Sequence, residues 1–300
     1  MRQYYQHPEL NYRDANMKDL PKISIIIPTR NRVNCLKRAL DKILESDYPN
    51  LEVIVVDGAS TDGTFQLLKA YENRISKWIS EPDGGEYFAV NKGLKFATGE
   101  IIKFMSDDDV LLPHALGTAG RYFLAHPDVD VIFGQQKWYV STPAKNELVY
   151  DKLITDERSL TPRNWIRRSR NVPSHIASFI RKRVIDEAGG MSEVYWPADV
   201  EFWARVSKYG AKMALLPDHF VDYYLTGENA FSKRSRQCQT IFYHTARLHG
   251  NMADVLYVLL TKILVFEITN PVRMAAHALG IHPMRWWFSK NTSEKKKAVS

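Results

Sequence analysis

The sequence predicts an α/β fold in which helices flank a doubly wound, mostly parallel central sheet, with a helical appendage at the C-terminus. Residues 23–27 form a β-branched run ending at Pro28, the pattern of a strand buried on both faces. An amphipathic helix, a second apolar run over residues 51–56 and another helix follow. Two strand–helix units in about fifty residues favour a parallel sheet, because parallel strands need long crossover connections.

The same alternation continues along the chain. Residues 141–172 interrupt it, because they lack a clear period and combine Trp165 with several arginines; we interpret them as solvated surface, with a mobile flap over an anionic ligand as the alternative. Asp199 falls in the first turn of a later predicted helix. The other predicted helices cover residues 33–46, 63–71, 86–97, 112–125 and 182–188, and the other strands cover residues 77–80, 101–105 and 128–134.

Three consecutive carboxylates, Asp107, Asp108 and Asp109, follow the predicted strand at residues 101–105. Adjacent carboxylates repel one another, and a divalent cation bound through oxygen relieves that repulsion. Mg²⁺ and Mn²⁺ are the usual ions where carboxylates are shared with phosphate. A plain acidic loop, with Asp109 as the N-cap of the next helix, is the alternative that the residues alone leave open.

Polar residues also stand where the other predicted strands end. Thr29 and Arg30 follow the first strand, Asp57 the second and Asp83 the third. In open α/β sheets, ligands bind beyond the carboxyl ends of the strands, so these residues predict a ligand site. The candidate cationic partners of an anionic ligand are Arg30, Arg32 and Lys92.

Length and composition exclude several classes of protein. A chain of 300 residues with 45% hydrophobic residues buries a full core, so it is neither disordered nor fibrous. Cys35 and Cys238 show no disulfide or metal-binding spacing, which favours a cytoplasmic protein. Residues 1–21 form a polar N-terminal arm without the apolar core of a signal peptide. No apolar run reaches the roughly 18 residues of a membrane span.

The positive charge is confined to the C-terminal region. The net charge is +7, and residues 231–300 carry 11 Lys and Arg against 3 Asp and Glu. The rest of the chain is close to neutral, so we predict no nucleic-acid binding. Apolar segments with tryptophan and flanking cations over residues 252–297 favour peripheral binding to an anionic membrane surface at its inner face. The alternative is packing on the catalytic domain or on another subunit, so an oligomer is possible.

Several motifs in a fixed order carry a resemblance to a known family. They are IIIPTRNR at residues 25–32, YPNLEVIVVDGASTDGT at 48–64, ISEPDGG at 79–85, NKG at 91–93, ATGE at 97–100 and SDDD at 106–109. With these motifs, residues 22–215 resemble the family 2 glycosyltransferases, whose catalytic domain has the nucleotide-diphospho-sugar transferase fold called GT-A.

The resemblance implies a domain division and a donor site. Residues 22–230 are expected to form the GT-A catalytic domain, with a nucleotide-sugar-binding half at 22–113 and an acceptor half at 114–230. The basic, apolar, helical region 231–300 follows it. The donor-binding residues that the resemblance implies are Pro28, Thr29, Arg30, Arg32, Asp57, Asp83, Asn91, Lys92 and Asp107.

The resemblance also implies a metal site and a catalytic base. The acidic run corresponds to the family's D-x-D-type metal site, but Ser106 stands in its first place, so Asp108 is the leading metal ligand and Asp109 a supporting one. Residues 198–205 resemble the family's E-D-x-x-x-W-x-R segment, which makes Asp199 the base; by itself it is equally a carboxylate favoured by the helix dipole. The acceptor-side candidates are His175, which is equally well explained as a packed core histidine, Trp196 and Glu201.

The implied activity is a metal-dependent, inverting transfer of a hexosyl or related sugar. The expected partners are a nucleotide-diphospho-sugar donor, a UDP-sugar being favoured, Mn²⁺ or Mg²⁺, and a glycan or lipid-linked acceptor in surface polysaccharide or glycoconjugate synthesis. A nucleotidyltransferase is one alternative, although no glycine-rich phosphate loop follows the first strand. A non-catalytic carbohydrate-binding scaffold is another, against which the joint presence of Asp57, Asp83, Asp108 and Asp199 argues.

Overall fold

A single sheet of nine strands organises the protein. The computed structural model describes residues 19–141, 146–151, 153–167, 172–194, 198–225 and 235–263. The strands are β1 Ile23–Thr29, β2 Leu51–Asp57, β3 Lys77–Ser80, β4 Ile101–Phe104, β5 Val110–Leu111, β6 Val131–Ser141, β7 Asn146–Tyr150, β8 Ser178–Arg181 and β9 Met213–Leu225. The α-helices are α1 Val33–Ile43, α2 Thr64–Ala70, α3 Glu86–Leu94, α4 Pro113–Ala125, α5 Pro162–Arg167, α6 Lys182–Ala188, α7 Ala198–Tyr209, α8 Ser235–His249 and α9 Met252–Val258.

The strand order is β3-β2-β1-β4-β8-β6-β9-β5, with β7 paired to β6. The first four strands of this order are parallel, and β1 pairs with β2 from Ile23 opposite Leu51 to Thr29 opposite Asp57. Strand β8 runs antiparallel between β4 and β6, and β6 is parallel to β9. The predicted mixed α/β fold with a mostly parallel sheet is confirmed.

The parallel strands are buried because helices cover both of their faces. Helix α1 turns Leu36, Leu40 and Ile43 toward one face of the sheet, where they join a core with residues of α4. On the other face, Trp203 of α7 packs with Phe133 of β6, their ring centroids 4.8 Å apart. The carboxyl ends of β1, β2 and β4 therefore stand at one edge of a rigid platform.

Part of the predicted C-terminal appendage packs on the core around the sheet. Ala246 of α8 and Val258 of α9 are fully buried and belong to the same core cluster as Trp203. Helix α8 contacts α5 and α7. Among the described residues, no helix is both long and apolar enough to cross a membrane. The predicted boundary at residue 230, residues 1–18 of the predicted arm 1–21, and residues 264–300 lie outside the described ranges, while Leu20 at the end of the arm is buried in the core.

Two local predictions are wrong, and the alternative in which Asp109 caps a helix is excluded. Trp165, predicted within a solvated surface, is fully buried in α5 against Phe133 and Trp203. The strand predicted over residues 128–134 begins at residue 131 and continues to Ser141, because β9 pairs with it along most of its length. Asp109 does not cap α4, which begins at Pro113 after the extended residue Leu112.

Candidate active site

A cavity of about 520 Å³ opens at the carboxyl edge of the parallel strands. One wall comes from the ends of β1 and β3 and the start of α3, and a second wall comes from β6, β9 and the first turn of α7. The acidic run after β4 lines the same cavity. The predicted site residues that line this cavity together are Pro28, Thr29, Arg30, Arg32, Asp83, Asp107, Asp108, Asp109, His175 and Asp199.

Four other predicted site residues are engaged elsewhere, and Trp196 lies outside the described residues. Asp57 is fully buried and accepts hydrogen bonds from the Ser60 amide and, at 2.6 Å, from the Ser80 hydroxyl. Lys92 pairs with Glu81 at 2.6 Å. Neither Asp57 nor Lys92 is among the residues that line the cavity.

Asn91 and Glu201 also support the site from outside its lining. The Asn91 side-chain amide donates to the Met191 carbonyl at 2.8 Å and accepts from the Met191 amide at 2.9 Å. Glu201 accepts from Arg205 at 2.8 Å and lies 2.8 Å from Nε2 of His249. Asn91 therefore ties α3 to the segment before α7, and Glu201 ties α7 to α8.

Each aspartate of the acidic run has a different environment. Asp107 accepts from the Thr29 hydroxyl at 2.7 Å. Asp108 accepts from Arg32 at 2.5 Å and from the Ser106 hydroxyl at 2.5 Å. Asp109 is fully buried and accepts from the Tyr224 amide at 3.1 Å through Oδ1. Its Oδ2 accepts no hydrogen bond from the part of the chain that the structure describes.

The cavity carries an excess of carboxylic groups. Within the described ranges, six carboxylic side chains and two guanidinium groups line it. Burial raises the pKa of Asp107 to about 7, and the Asp108 charge adds to the shift. Burial and the Asp108 charge raise the pKa of Asp109 well above its usual range. A bound cation would lower both pKa values, because it favours the charged carboxylates.

Asp199 lies at the start of α7 with His175 beside it. The His175 Nδ1 is 3.4 Å from Asp199 Oδ2, and both side chains are partly exposed to the cavity. Backbone amides at Ala198 and Asp199 donate to the hydroxyl of Tyr87, which lies on α3. The first turn of α7 is therefore fixed to the donor side of the cavity.

A buried lysine fixes the turn that carries His175. Lys103 of β4 is fully buried and donates to the carbonyl of Phe104 at 2.8 Å and to the carbonyl of Ile176. Burial lowers the pKa of Lys103 to about 7, while the Asp109 charge opposes that shift. The short 3₁₀ helix His175–Ala177 is thereby attached to the strand that precedes the acidic run.

The sequence comparison identifies the family. Residues 24–188, more than half of the chain, match the family described as Glycosyl transferase family 2. The chain belongs to glycosyl transferase family 2. Within this family it is 38% identical, over 107 residues, to the GalNAc(5)-diNAcBac-PP-undecaprenol beta-1,3-glucosyltransferase of Campylobacter jejuni. That alignment covers 33% of each chain, and a Mycobacterium tuberculosis protein is 30% identical over 62% of each.

Solved structures of similar shape support the fold. The mannosyltransferase PcManGT of Pyrobaculum calidifontis, in complex with GDP-Man and Mn²⁺, superposes with a TM-score of 0.62 at 20% identity, over 93% of this chain and 81% of that one. TarS 1-349 of S. aureus, in complex with UDP-GlcNAc, gives a TM-score of 0.60 at 22% identity, over 79% and 66%. The fold is GT-A.

The acidic run of this family 2 protein fits a divalent cation. No group of three or more acidic, histidine or cysteine side chains converges as a metal cage within the described residues. Mg²⁺ and Mn²⁺ do not require a cage of three or more protein ligands, because they are commonly held by one or two carboxylates together with waters and substrate phosphates. Asp109 Oδ2 is a buried acceptor without a donor in the described chain, and Asp108 faces the cavity. These two carboxylates would hold the ion.

Four chemically notable residues, Glu86, Gln136, Trp138 and Tyr223, are among the cavity-lining residues that sequence reasoning missed. Glu86 is the first residue of α3, directly after Gly85, whose φ of 121° suits glycine. Its position after two glycines, at the start of a predicted helix, was the sequence feature that could have indicated a place in the site. The other three, Gln136, Trp138 and Tyr223, lie on β6 and β9, and their strand pairing carries no local sequence signal.

Proposed function

We propose that this family 2 protein transfers a sugar from a UDP-sugar to a hydroxyl group of a glycan or lipid-linked acceptor, with inversion at the anomeric carbon. One observation carries the proposal: a single cavity is lined by both the acidic run and Asp199. This arrangement suits a reaction in which a diphosphate leaves on one side of the sugar while a hydroxyl attacks from the other.

The donor side offers anchored groups for a nucleotide diphosphate. Pro28 and Thr29 end the buried strand β1, and Arg30 and Arg32 follow them at the cavity. Guanidinium groups bind phosphate through paired hydrogen bonds. Arg32 contacts Asp107 at 3.5 Å and Asp108 at 2.5 Å, so it is positioned beside the two carboxylates that a diphosphate and its cation would approach.

Mn²⁺ or Mg²⁺, when bound, neutralises negative charge that develops on the departing diphosphate. The chain's own contribution is to keep Asp108 and Asp109 close together in a mostly buried position. The Ser106 hydroxyl orients Asp108, and the Tyr224 amide orients Asp109. Ser106 therefore takes a supporting role at the motif position where an aspartate is usual.

Asp199 is the proposed general base. It would accept the proton from the attacking hydroxyl, a task that requires a hydrogen bond between the two groups. The adjacent His175 Nδ1, 3.4 Å away, orients the carboxylate. Attack by that hydroxyl on the face of the anomeric carbon opposite the departing diphosphate would invert the configuration.

The names of similar proteins support the substrate classes. TarS binds UDP-GlcNAc and UDP, PcManGT binds GDP-Man, and the Campylobacter enzyme's name includes an undecaprenol-linked saccharide. We favour a uridine nucleotide and an acceptor in surface polysaccharide or glycoconjugate synthesis.

The proposal is tested by calorimetric titration with UDP-sugars, with and without Mn²⁺. We expect Mn²⁺ to strengthen binding, and Asp108→Ala to weaken the Mn²⁺-dependent binding by about tenfold or more, since it removes a charged ligand. Asp186→Ala, at an exposed acid of α6 outside the cavity, is the matched control. Unchanged UDP-sugar affinity in Asp108→Ala would refute the assigned role of Asp108, and no UDP-sugar binding by the wild type would refute the donor class.

We further propose peripheral attachment to the cytoplasmic, inner face of an anionic membrane through residues 252–297. In the described part of this region, Met252, Leu256 and Leu260 are 81%, 54% and 52% exposed. Residues four apart lie on one face of a helix, so these side chains form an apolar stripe. The cation-rich residues 264–297 lie outside the described ranges, and their sequence supplies the complementary charge for anionic headgroups.

Co-sedimentation with vesicles tests this attachment. We expect salt-sensitive binding to phosphatidylglycerol-containing vesicles, weaker binding to phosphatidylcholine vesicles, and a loss of binding in Leu256→Ser. Leu124→Ser, at a 42% exposed leucine on α4, is the control. Equal binding by the two variants would place the attachment elsewhere.

A further inference from the structure

Three aromatic residues form a row across neighbouring strands at the acceptor-side wall. Trp138 of β6 stands opposite Tyr223 of β9 and opposite Tyr150 of β7. The ring centroids of Trp138 and Tyr223 are 5.2 Å apart, and those of Trp138 and Tyr150 are also 5.2 Å apart. We call Tyr223, Trp138 and Tyr150 the aromatic row. Tyr223 and Trp138 line the cavity, and Tyr150 continues the row toward the edge strand β7.

Buried polar atoms accompany this row. Gln136 lies two residues before Trp138 on β6, lines the cavity and is 5% exposed. Within the described chain, neither its Oε1 nor Asp109 Oδ2 accepts a hydrogen bond. Buried acceptors without donors are unfavourable. A ligand that carries several hydroxyl donors would satisfy an acceptor such as Gln136 Oε1.

Flat apolar rings beside a few hydrogen-bonding groups match the chemistry of a pyranose. A sugar ring presents C–H groups on its faces, which pack on aromatic rings, and hydroxyl groups around its rim, which donate to buried acceptors. Neighbouring strands lie about 4.8 Å apart, so a row across three strands extends about 10 Å. This length accommodates more than one sugar ring.

We propose that the aromatic row is an acceptor-binding platform on which at least two pyranose rings of an oligosaccharide stack, the inner ring presenting its hydroxyl to Asp199. This inference rests on the proposed transfer of sugar and specifies its acceptor. The inner ring lies on Tyr223 and Trp138 beside Gln136, and the next ring lies on Trp138 and Tyr150. The acceptor is therefore recognised through its length as well as through the reacting hydroxyl.

The opposite face of the same strands supplies an internal comparison. Tyr139, the next residue of β6, stacks on Tyr224 of β9 with ring centroids 5.4 Å apart and an interplanar angle of 21°. Successive residues of a strand point to opposite faces, and neither tyrosine lines the cavity. Cross-strand aromatic pairs stabilise sheets on either face. If both aromatic pairs were purely structural, substitutions of Tyr139 and Tyr150 would have equivalent effects. In the proposed platform, Tyr150 contacts the saccharide and Tyr139 does not.

The test is saturation-transfer NMR on the full chain with UDP and Mg²⁺ present. The probes are cellobiose, lactose and N,N′-diacetylchitobiose, each compared with its component monosaccharides. We expect at least one disaccharide to bind more tightly than its monosaccharides. Tyr150→Ala should weaken that binding by about fivefold, equivalent to an aromatic contact of about 1 kcal/mol. Tyr150→Phe should retain it, and Tyr139→Ala should leave it unchanged.

Each other outcome counts against the platform. Equal losses in Tyr150→Ala and Tyr139→Ala, with equal falls in melting temperature, would assign the row a structural role. The platform would also be refuted if no disaccharide bound more tightly than its monosaccharides while UDP bound normally. Failure of UDP itself to bind would instead refute the proposed function, so the two failures are distinguishable.

Discussion

The two walls of the cavity are built differently. On the donor side, short parallel strands end in polar residues that other protein groups already hold, as the Thr29 hydroxyl holds Asp107. On the acceptor side, the long strands β6 and β9 contribute aromatic rings, and Gln136 has a buried oxygen that accepts no hydrogen bond from the described residues. The donor wall is a preorganised set of charges, while the acceptor wall is a surface with unsatisfied hydrogen-bonding capacity.

This difference suits the two substrates. A nucleotide diphosphate has fixed charges, and prepositioned groups bind it without the energetic cost of ordering them at the moment of reaction. A saccharide acceptor is neutral and extended, so ring stacking and a few hydrogen bonds are the available contacts. Substitutions at the donor wall should therefore affect binding of the nucleotide sugar, and substitutions at the acceptor wall should affect acceptor binding and sugar transfer. Asp199, which is on the acceptor wall, provides the strongest test.

The largest expected effect is that of Asp199→Asn on sugar transfer. The amide keeps the shape of the side chain but does not accept a proton, so we expect the transfer rate to fall by about a hundredfold or more. UDP-sugar affinity, measured by calorimetry, should stay within about twofold of the wild type. Asp186→Asn on α6 is the control. A near-normal transfer rate would show that Asp199 is not the base. A parallel loss of donor affinity would contradict the assignment of the two walls to different substrates.

The donor wall was largely predictable from the sequence because its elements are local. Strands β1 and β2 are mostly apolar runs of seven residues, each followed by a helix, and the predicted strand over residues 77–80 coincides with β3. Their carboxyl ends meet at one edge in any parallel sheet. Asp107, Asp108 and Asp83 were brought to the cavity as expected. Only the placement of Asp57, Asn91 and Lys92 outside the cavity lining required the tertiary structure.

The acceptor wall was not predictable in the same way, because it depends on pairings between distant segments. Strand β6 extends beyond its apolar part only because β9, about eighty residues later, pairs with it. Trp138, at the polar end of β6, gives no sign in the sequence of its alignment with Tyr150 and Tyr223. Trp165 was misassigned for a related reason: the arginines around it suggested a solvated surface, but α8 and α9 cover α5.

Helix α7 contains both a cavity-facing acid and a structural one, only two residues apart. Asp199 faces the cavity, whereas Glu201 is 5% exposed and pairs with Arg205 and with His249 of α8. Burial alone would raise the Glu201 pKa, but the hydrogen bonds and charges of His249 and Arg205 outweigh it and lower the pKa to about 2. Glu201 was predicted as an acceptor-side residue; its contacts instead connect the acceptor wall to the C-terminal helices.

A smaller effect is expected from Glu201→Gln, on stability and its pH dependence. The Glu201 pKa is depressed in the folded state, so its contribution is fully present above the unfolded-state value of about 4.5 and is lost as the pH falls toward about 2. We expect urea unfolding to show the variant about 1–3 kcal/mol less stable at pH 7. This difference should shrink between pH 4.5 and pH 3.

Glu187→Gln, at an exposed acid of α6, is the control and should change stability little at either pH. If the loss of unfolding free energy in Glu201→Gln did not shrink on acidification, packing and not charge would account for the stabilisation. A raised KM for the acceptor, with unchanged stability, would return Glu201 to the acceptor site. That result would extend the acceptor wall past Asp199 along α7, and the separation between catalytic and supporting acids on this helix would no longer hold.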